Sequence, residues 1–319
     1  MTMQNKPINS FDELIARATA IAKEGRKKTV AVAAAQDADV IGAVAQAHAD
    51  GFIDAILVGN ETAILKLAKE NNIDIGEFEV INKTDINQAA HQAVKLASEK
   101  KADLIMKGFL PTSALLRTVL DKQYGLRGKT TLSHCAVLDI PGYHKLLNFT
   151  DGGMVVKPDQ EEKLQVLENA ITVGRALGLS PVKVAVSAAV DRISDRMPHT
   201  LTDNDYVIPE AMKKFEDIAI QGPLTFDLAT SSKAAGYYTS HGPVVGDADI
   251  FLVDSIEECN VVSKALIQFA QTVFAGVIVG AKVPISLVSR TDTVKNKKAS
   301  LAIACVLADY YDQSEIWKN

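Results

Sequence analysis

Short apolar segments alternate with longer segments of helical period along most of the chain. The apolar segments are continuous rather than interrupted by polar residues, which is typical of strands covered by helices on both faces of a parallel sheet. The predicted strands are Thr29–Ala34, Ala55–Val58, Phe78–Ile81, Asp103–Met106, Leu132–Leu138, Lys183–Ala188, Asp217–Ile220, Ile250–Val253, Gly276–Val279 and Ile285–Val288. Between them apolar residues recur at helical spacing, and Gly51, Asn72 and Gly178 stand where helices should end.

This alternation of strand and helix predicts an α/β fold with mainly parallel sheets and right-handed crossovers. A chain of 319 residues suggests two domains, at roughly 100–200 residues per domain. The stretch Asp139–Lys157 breaks the rhythm, a second break lies near Arg290–Lys298, and one helix remains after it. We therefore predict a first domain of residues 1–138 plus 295–319 and an inserted second domain of residues 139–294.

Composition narrows the class of protein. Lys plus Arg number 34 and Asp plus Glu 39, a net charge of −5, which disfavours a nucleic-acid binder because phosphate backbones need a positive surface. The three cysteines have no CxxC spacing, and Cys135 and Cys305 lie in apolar surroundings, so buried inert thiols are expected. The uncharged stretch Ala265–Ala281 is shorter than the roughly 20 residues of a membrane span. A cytoplasmic protein with no membrane partner is expected.

The common cofactor motifs do not match. No GxGxxG joins a strand to a helix. Gly128–Thr130 ends like a P-loop, but Gln123 stands where its first glycine should be. His134 and Cys135 are adjacent, so on a strand they point to opposite faces, and no second pair lies near them. No bound cofactor or metal is therefore predicted.

Polar residues follow three of the predicted strands. Ser289, Arg290 and Asp292 follow Ile285–Val288, at the carboxyl edge where α/β folds bind ligands. An arginine offers a fork of donors for phosphate oxygens, and a neighbouring hydroxyl can donate to an oxyanion. A strand-end turn with a surface salt bridge is the alternative for this segment.

The other two strand ends open helices. Gly108 lets the backbone approach a ligand, Thr112 or Ser113 can cap the next helix, whose N-terminus favours anions, and Arg117 lies about one turn further on. A plain cap with a surface arginine is the alternative. After Ile250–Val253, Asn260 and Lys264 are one helical turn apart and share a face that could meet a polar ligand or only solvent.

Taken together, these segments resemble the phosphate acetyl/butyryltransferase family, and the butyryl branch more than the acetyl branch. The resemblance runs nearly end to end in the same order. It is carried by Ala35–Asp37, Met106–Gly108, Leu116–Arg117, Gly125–Thr130, Ser133–His134, Thr150–Asp151, Met197–Pro198, Gly222–Leu224 with Asp227, Gly246–Leu252, Asn260–Val261 with Lys264, Gly280 with Pro284, and Ser289–Arg290 with Asp292.

The resemblance implies two α/β/α domains of the isocitrate/isopropylmalate dehydrogenase-like class, with a cleft between them, in a homodimer or higher homo-oligomer. It implies conversion of acyl-CoA and phosphate to acyl phosphate and CoA, both CoA and phosphate being substrates and no metal or cofactor being needed. By resemblance Ser289 stabilises the oxyanion and Arg290 binds phosphate. The remaining substrate-binding residues would be Lys107, Gly108, Thr112, Arg117, Lys129, Ser133, Asp151, Asn260 and Lys264.

Two positions depart from the acetyl branch. Asn296 stands where that branch has its base aspartate, six residues after the arginine, so Asp292 becomes the candidate base. Gly152 stands where that branch has a cysteine. The alternatives are a phosphate acetyltransferase, a non-catalytic acyl-CoA-binding homologue, and a decarboxylating dehydrogenase of the same broad fold, which would need Mg²⁺ and a nicotinamide site.

Overall fold

The computed structural model describes residues 6–238 and 241–314. Its strands are β1 Lys28–Ala33, β2 Ile53–Gly59, β3 Glu79–Asn82, β4 Leu104–Lys107, β5 Ser133–Asp139, β6 Leu147–Thr150, β7 Val182–Ser187, β8 Ile218–Leu224, β9 Ile250–Leu252, β10 Val273–Val279 and β11 Ile285–Ser286. Its α-helices are α1 Phe11–Ile21, α2 Ala38–Ala49, α3 Glu61–Glu70, α4 Ile86–Ser98, α5 Thr112–Val119, α6 Gln160–Ala176, α7 Pro198–Thr202, α8 Ile208–Lys214, α9 Phe226–Thr230, α10 Ser232–Tyr238, α11 Ile256–Phe269 and α12 Val294–Gln313. Every predicted strand overlaps an observed one.

Tertiary contacts group the chain into two compact units. The first unit holds Asp12–Lys129 and the segment from Ala275 onward, and the second holds the segment up to Phe11 and Thr130–Phe274. These boundaries differ from the predicted ones at 138/139 and 294/295. Strand pairing explains both differences, because β5 pairs with β6 in the second unit, whereas β11 pairs with β4 and β10 in the first.

The first unit is built on a mainly parallel sheet. Its strand order is β3-β2-β1-β4-β11-β10, and within this order only β10 runs antiparallel to its neighbour β11. β1 has buried residues at nearly every position, as expected for a central strand covered on both faces. Because β4 and β11 are parallel neighbours, the loops that follow Lys107 and Ser286 leave the same edge of the sheet.

The second unit has the strand order β5-β6-β9-β7-β8, with β5 and β6 antiparallel and the other pairs parallel. β6 was not predicted, since it lies inside the stretch Asp139–Lys157 that breaks the sequence rhythm. Its four residues are all buried, and because it ends at Thr150 and runs parallel to β9, Asp151 follows at the carboxyl ends of these two strands. The α/β class with mainly parallel strands is thus confirmed in each unit.

Helix ends follow the sequence as predicted. Gly51, Asn72 and Gly178 each have positive φ, of 83°, 54° and 80°, in the left-handed conformation that closes a helix. The three cysteines are buried and free, and burial raises the pKa of Cys135 to about 12. The predicted burial of Cys135 and Cys305 is therefore confirmed. Among the described residues, no helix is long and apolar enough to cross a membrane.

Asp247 organises a charged cluster before β9. It accepts hydrogen bonds from Lys145 and His144 at 2.8 Å and 2.7 Å, and it also pairs with Lys183. Burial alone would raise the pKa of this carboxyl, but the hydrogen bonds from Lys145, Lys183 and His144 outweigh burial and hold it well below its ordinary value.

Replacing Asp247 by asparagine should lower the free energy of unfolding by about 1 kcal/mol at pH 7, since the pairs are partly exposed. The carboxyl's pKa is lower in the folded state, so its contribution is present above the unfolded pKa and is lost as pH falls through the folded pKa. Urea unfolding at pH 7 and pH 3 should show the difference between variant and wild type shrinking at the lower pH. An unchanged difference at both values would contradict this assignment, and Asp74→Asn, an exposed aspartate, is the control.

Candidate active site

The loop after β11 presents Ser289 and Arg290 to solvent. The Asp292 N–H donates to the Ser289 carbonyl at 3.2 Å, and the Ser289 N–H donates to Asp292 Oδ2 at 2.6 Å. These two hydrogen bonds close a tight turn. The Ser289 hydroxyl lies 3.2 Å from the hydroxyl of Thr291, and both side chains are exposed. The backbone N–H of Ser289 is engaged by Asp292, so the hydroxyl is the donor that Ser289 can offer to an oxyanion.

Lys297 supports this turn from α12. Its side chain is 1% exposed, its ammonium donates to the Asp292 carbonyl, and it lies 3.8 Å from Asp39 Oδ2. Asn296 donates to Asp292 Oδ1 at 3.4 Å, so the amide at this position contacts the carboxylate proposed to replace the missing base. Sequence reasoning missed Lys297, although a lysine on the same apolar stripe of a helix as Leu301 and Cys305 is a signal that could have found it.

The parallel neighbour β4 ends in the same region. The Gly108 N–H donates to the Ala33 carbonyl at 2.9 Å, and the Phe109 N–H donates to the Ala34 carbonyl at 2.7 Å. A Cβ on Gly108 would lie 2.2 Å from the Ala34 oxygen, so only glycine fits this approach of two loops. The predicted close approach at Gly108 is made to the chain's own backbone.

Lys107 is buried beside this turn. Its ammonium donates to the carbonyls of Gly108 and Leu110, at 3.2 Å and 3.4 Å. Burial lowers the pKa of Lys107, and the charge of Arg290 lowers it further, while Asp37 opposes the shift. The Arg290 guanidinium stands 5.1 Å from the ring centre of Phe109. The structure therefore brings Lys107, Gly108 and Arg290 together at one edge of the first unit.

The other predicted site residues of the first unit are more exposed to solvent. Pro111, rather than Thr112 or Ser113, occupies the N-cap position of α5, and no side chain caps this helix, so the predicted hydroxyl cap is wrong. A proline preceding the first turn leaves Thr112 as the first helical residue. Arg117 is exposed in the last turn of α5, and Lys129 is exposed at the end of the unit. No described residue forms an ion pair with either of them.

In the second unit, Asp151 holds a tight loop after β6. Its carboxylate accepts hydrogen bonds from four backbone N–H groups, those of His134, Gly153, Met154 and Val155, at 2.6–3.2 Å. The side chain is 4% exposed, and its acceptor positions are directed into the loop. Asp151 is thus placed to shape this loop rather than to contact a ligand through its carboxylate.

Helix α11 meets the Asp151 loop through Asn260. Its side-chain amide donates to the Gly152 carbonyl at 3.2 Å, and Lys264 follows one turn later and is exposed. A Cβ on Gly152 would lie 2.6 Å from Cys259 Sγ, so the buried thiol occupies the space that a side chain at position 152 would need. Burial raises the pKa of Cys259 well above its ordinary value, which makes it a poor nucleophile.

Ser133 lies elsewhere in the second unit. It is fully buried, and its hydroxyl accepts a hydrogen bond of 2.8 Å from the amide of Asn169, which also donates to the Thr131 carbonyl. This amide, missed in the sequence, ties the segment before β5 to α6. A ligand contact from the Ser133 hydroxyl finds no support in this placement, while Asp151, Asn260 and Lys264 are grouped.

The arrangement of the first unit suits an anion that carries a reacting oxygen. It combines a guanidinium, a buried ammonium and an exposed hydroxyl at the carboxyl edge of a parallel sheet. No group of three or more His, Cys, Asp or Glu that could hold a metal ion occurs in residues 6–238 and 241–314. The fold and these residues define an α/β protein whose first unit groups a guanidinium, an ammonium and a hydroxyl at one sheet edge.

Comparison with known proteins gives the family. The family model described as phosphate acetyl/butaryl transferase matches residues 11–90 and 83–305. The chain is 38% identical over 301 residues to a phosphate butyryltransferase of Clostridium acetobutylicum, covering 94% of this chain and 99% of the relative. A crystal structure of a branched-chain phosphotransacylase from Enterococcus faecalis V583 is similar with a TM-score of 0.79 at 29% identity, covering 88% of this chain and 99% of that one.

The chain therefore belongs to the phosphate acetyl/butyryltransferase family. The fold is shared more widely, since a 4-hydroxythreonine-4-phosphate dehydrogenase from Klebsiella pneumoniae is similar with a TM-score of 0.57 at 14% identity, covering 88% of this chain and 100% of that one. That likeness concerns the fold alone. It agrees with the predicted dehydrogenase-like class.

Proposed function

We propose that this protein transfers a short or branched acyl group between CoA and inorganic phosphate, with no further cofactor. The observation that carries the proposal is the pairing of exposed Ser289 and Arg290 on the strand-end turn held by Asp292. Phosphate oxygen attacks the thioester carbonyl while the phosphate proton passes to the Asp292 carboxylate, the carbon–sulfur bond breaks, and this proton then passes to the leaving thiolate. The products are acyl phosphate and CoA.

The first-unit residues have separate roles in this reaction. Arg290 binds phosphate through its fork of N–H donors, and Lys107 and Arg117 add positive charge to the same unit. Ser289 donates its hydroxyl to the oxyanion that forms as the carbonyl carbon becomes tetrahedral. Phe109, missed in the sequence, limits the positions that the Arg290 guanidinium can take.

The second-unit residues bind the acyl-CoA. Asn260 and Lys264 share one face of α11, and Asn260 contacts the loop that Asp151 shapes. This loop offers backbone groups and no carboxylate, which suits an uncharged thioester. An acetyl group is the second candidate for the acyl chain, since the family includes acetyl and butyryl transferases.

The experiment is phosphate-dependent release of free thiol from butyryl-, isobutyryl- and acetyl-CoA, with and without EDTA. Release that needs phosphate and survives EDTA supports the proposal, and the ratio of kcat/KM values ranks the acyl groups. One methylene changes such ratios by only about 10- to 200-fold, so several acyl groups should react. CoA binding without release from any thioester would favour the non-catalytic alternative.

Asp292 is the proposed base, and its replacement by asparagine separates proton transfer from the second role of this side chain, which is to hold the Ser289 turn. Asp292→Asn should lower kcat by about 100-fold or more, because proton transfer typically contributes 10²–10⁴-fold. The asparagine can still accept the hydrogen bond from the Ser289 N–H, which preserves the turn. The measurement is kcat between pH 6 and 9, with Asp74→Asn as control. Near-normal turnover of Asp292→Asn throughout that range would exclude the base role.

We also propose that the chain forms a homo-oligomer through α11. Val261 is 66% exposed and Phe269 86% exposed, two turns apart on one face with Ala265 between them. Exposed apolar stripes of this kind mark association surfaces. Phe269→Glu should shift the mass measured by light scattering to that of a smaller species, and Leu65→Glu, at another exposed apolar residue, should not. An unchanged mass for Phe269→Glu would rule out this surface.

A further inference from the structure

The second unit contains a pocket that the site described above does not use. It has a volume of about 470 Å³, within the range of small-molecule sites. Ser187 ends β7, Thr225 follows β8 and Asp254 lies just after β9, and all three line the pocket. The pocket therefore opens at the carboxyl ends of three parallel strands, where open α/β sheets bind ligands.

One wall of the pocket is aromatic and the other is acidic. Phe226 is 38% exposed, and its ring packs against Phe251 with centroids 5.5 Å apart, which leaves a flat apolar surface at the opening. Glu258 accepts hydrogen bonds from the Ser187 hydroxyl and the Asp254 N–H, and each of its oxygens retains a second lone pair. The pocket thus suits a flat, uncharged group that donates hydrogen bonds.

The positive charges near the pocket favour a ligand whose phosphate groups lie outside the pocket rather than in it. Among the described residues that line it there is no lysine or arginine. Arg192 and Arg196 stand exposed on the loop that follows β7, which begins at the lining residues Ala188 and Ala189. A ligand with an uncharged ring and attached phosphates fits this order of aromatic surface, acid and neighbouring basic loop.

The geometry of α11 relates the pocket to the proposed thioester site. Glu258 and Val262 line the pocket, whereas Asn260 points to the Gly152 carbonyl. Residues two apart on a helix lie about 200° around its axis from one another. In addition, β7 is two strands from β6, a separation of about 10 Å. The pocket is therefore separated from the thioester end by a helix width and accessible to the distant end of an extended substrate.

We propose, resting on the acyl-CoA site proposed above, that this pocket holds the adenine ring of CoA. The ring stacks on Phe226, and its exocyclic amine donates to Glu258. The phosphate attached to the neighbouring ribose lies toward Arg192 and Arg196. The pocket is then a specificity site for the nucleotide end of the substrate.

The test compares two thioesters, butyryl-CoA and S-butyryl-pantetheine, which lacks the nucleotide. Phe226→Ala removes the stacking surface, and Ala189→Phe fills the pocket from an exposed position. Both variants should raise KM for butyryl-CoA at least about tenfold, the scale of losing base stacking on an aromatic ring, and leave kcat/KM for S-butyryl-pantetheine unchanged. Met212→Ala, an exposed apolar residue outside the pocket, should change neither.

Two other outcomes of this comparison would overturn the proposal. Equal rises in KM for both thioesters would place the pantetheine arm in the pocket, and no change with either would remove the pocket from the CoA site; both overturn the proposal. Calorimetric titration of wild type and variants with CoA and with pantetheine makes the same comparison without turnover. If wild type releases no thiol from butyryl-CoA, the proposed reaction fails, while a selective loss of CoA affinity in Phe226→Ala still supports the adenine pocket.

Discussion

Replacing Arg290 by glutamine is expected to lower kcat/KM for phosphate by about 10²–10³-fold, the scale on which one preorganised charge-stabilising donor acts. Glutamine keeps a planar amide but loses the positive charge and the fork of parallel donors that match two phosphate oxygens. Arg290 is exposed, its charge contributes to lowering the pKa of Lys107, and no described acidic residue forms an ion pair with it, so its guanidinium is available to the proposed phosphate. Steady-state kinetics with varied phosphate give the value.

Two further variants show whether the loss in Arg290→Gln comes from the charge and from its position. Arg290→Lys restores the charge without the fork and should recover only part of the loss, because lysine binds phosphate as a point charge. Lys66→Gln removes an exposed positive charge on α3 and should leave the kinetics unchanged. A phosphate KM and kcat for Arg290→Gln within threefold of wild type would show that Arg290 is not the phosphate ligand.

Gly108→Ala is expected to destabilise the fold by about 3 kcal/mol or more, the cost of forcing atoms into a closed backbone contact. The new Cβ would lie 2.2 Å and 2.7 Å from the carbonyl oxygens of Ala34 and Ala33, and neither backbone group can rotate away. Both carbonyls accept hydrogen bonds from the Gly108–Phe109 turn. Any Gly108→Ala protein that folds should also lose activity, because the same turn positions Lys107 and the Phe109 ring that contacts Arg290.

Gly236→Ala is the matched control, because it adds the same methyl group in α10 with no atom within 4 Å of the new Cβ. In a helix this change should stabilise by up to about 1 kcal/mol. Urea unfolding followed by circular dichroism measures both variants. Equal free energies of unfolding for Gly108→Ala and wild type would mean that the two loops are not held as closely as the structure shows.

The strands could be predicted because a parallel sheet covered by helices needs continuous apolar segments. β6 could not, since its four residues lie among the glycines and charges that surround Asp151. The domain boundaries depended on the same stretch. A break in sequence rhythm marks a change of local structure, whereas the division of the chain depends on which strands pair, as β5 does with β6 and β11 with β4.

The grouping of Lys107, Gly108 and Arg290 could be predicted in outline, because polar residues that follow neighbouring parallel strands meet at one sheet edge. The hydrogen bonds of the individual site residues could not be predicted. The sequence does not reveal that Pro111 takes the cap position of α5, or that the Asp151 carboxylate is turned into its own loop. Those outcomes depend on competition among nearby donors and acceptors, which only the folded chain resolves. Hydroxyl groups such as that of Ser133 are as suited to an internal amide partner as to a ligand.

The sulfur of Cys259 has a consequence for how relatives of this chain should vary. It occupies the space beside Gly152 that any side chain there would enter, with only 2.6 Å available. Positions 152 and 259 therefore compete for one volume and should change together. Relatives with a cysteine at position 152 should carry a smaller residue at position 259.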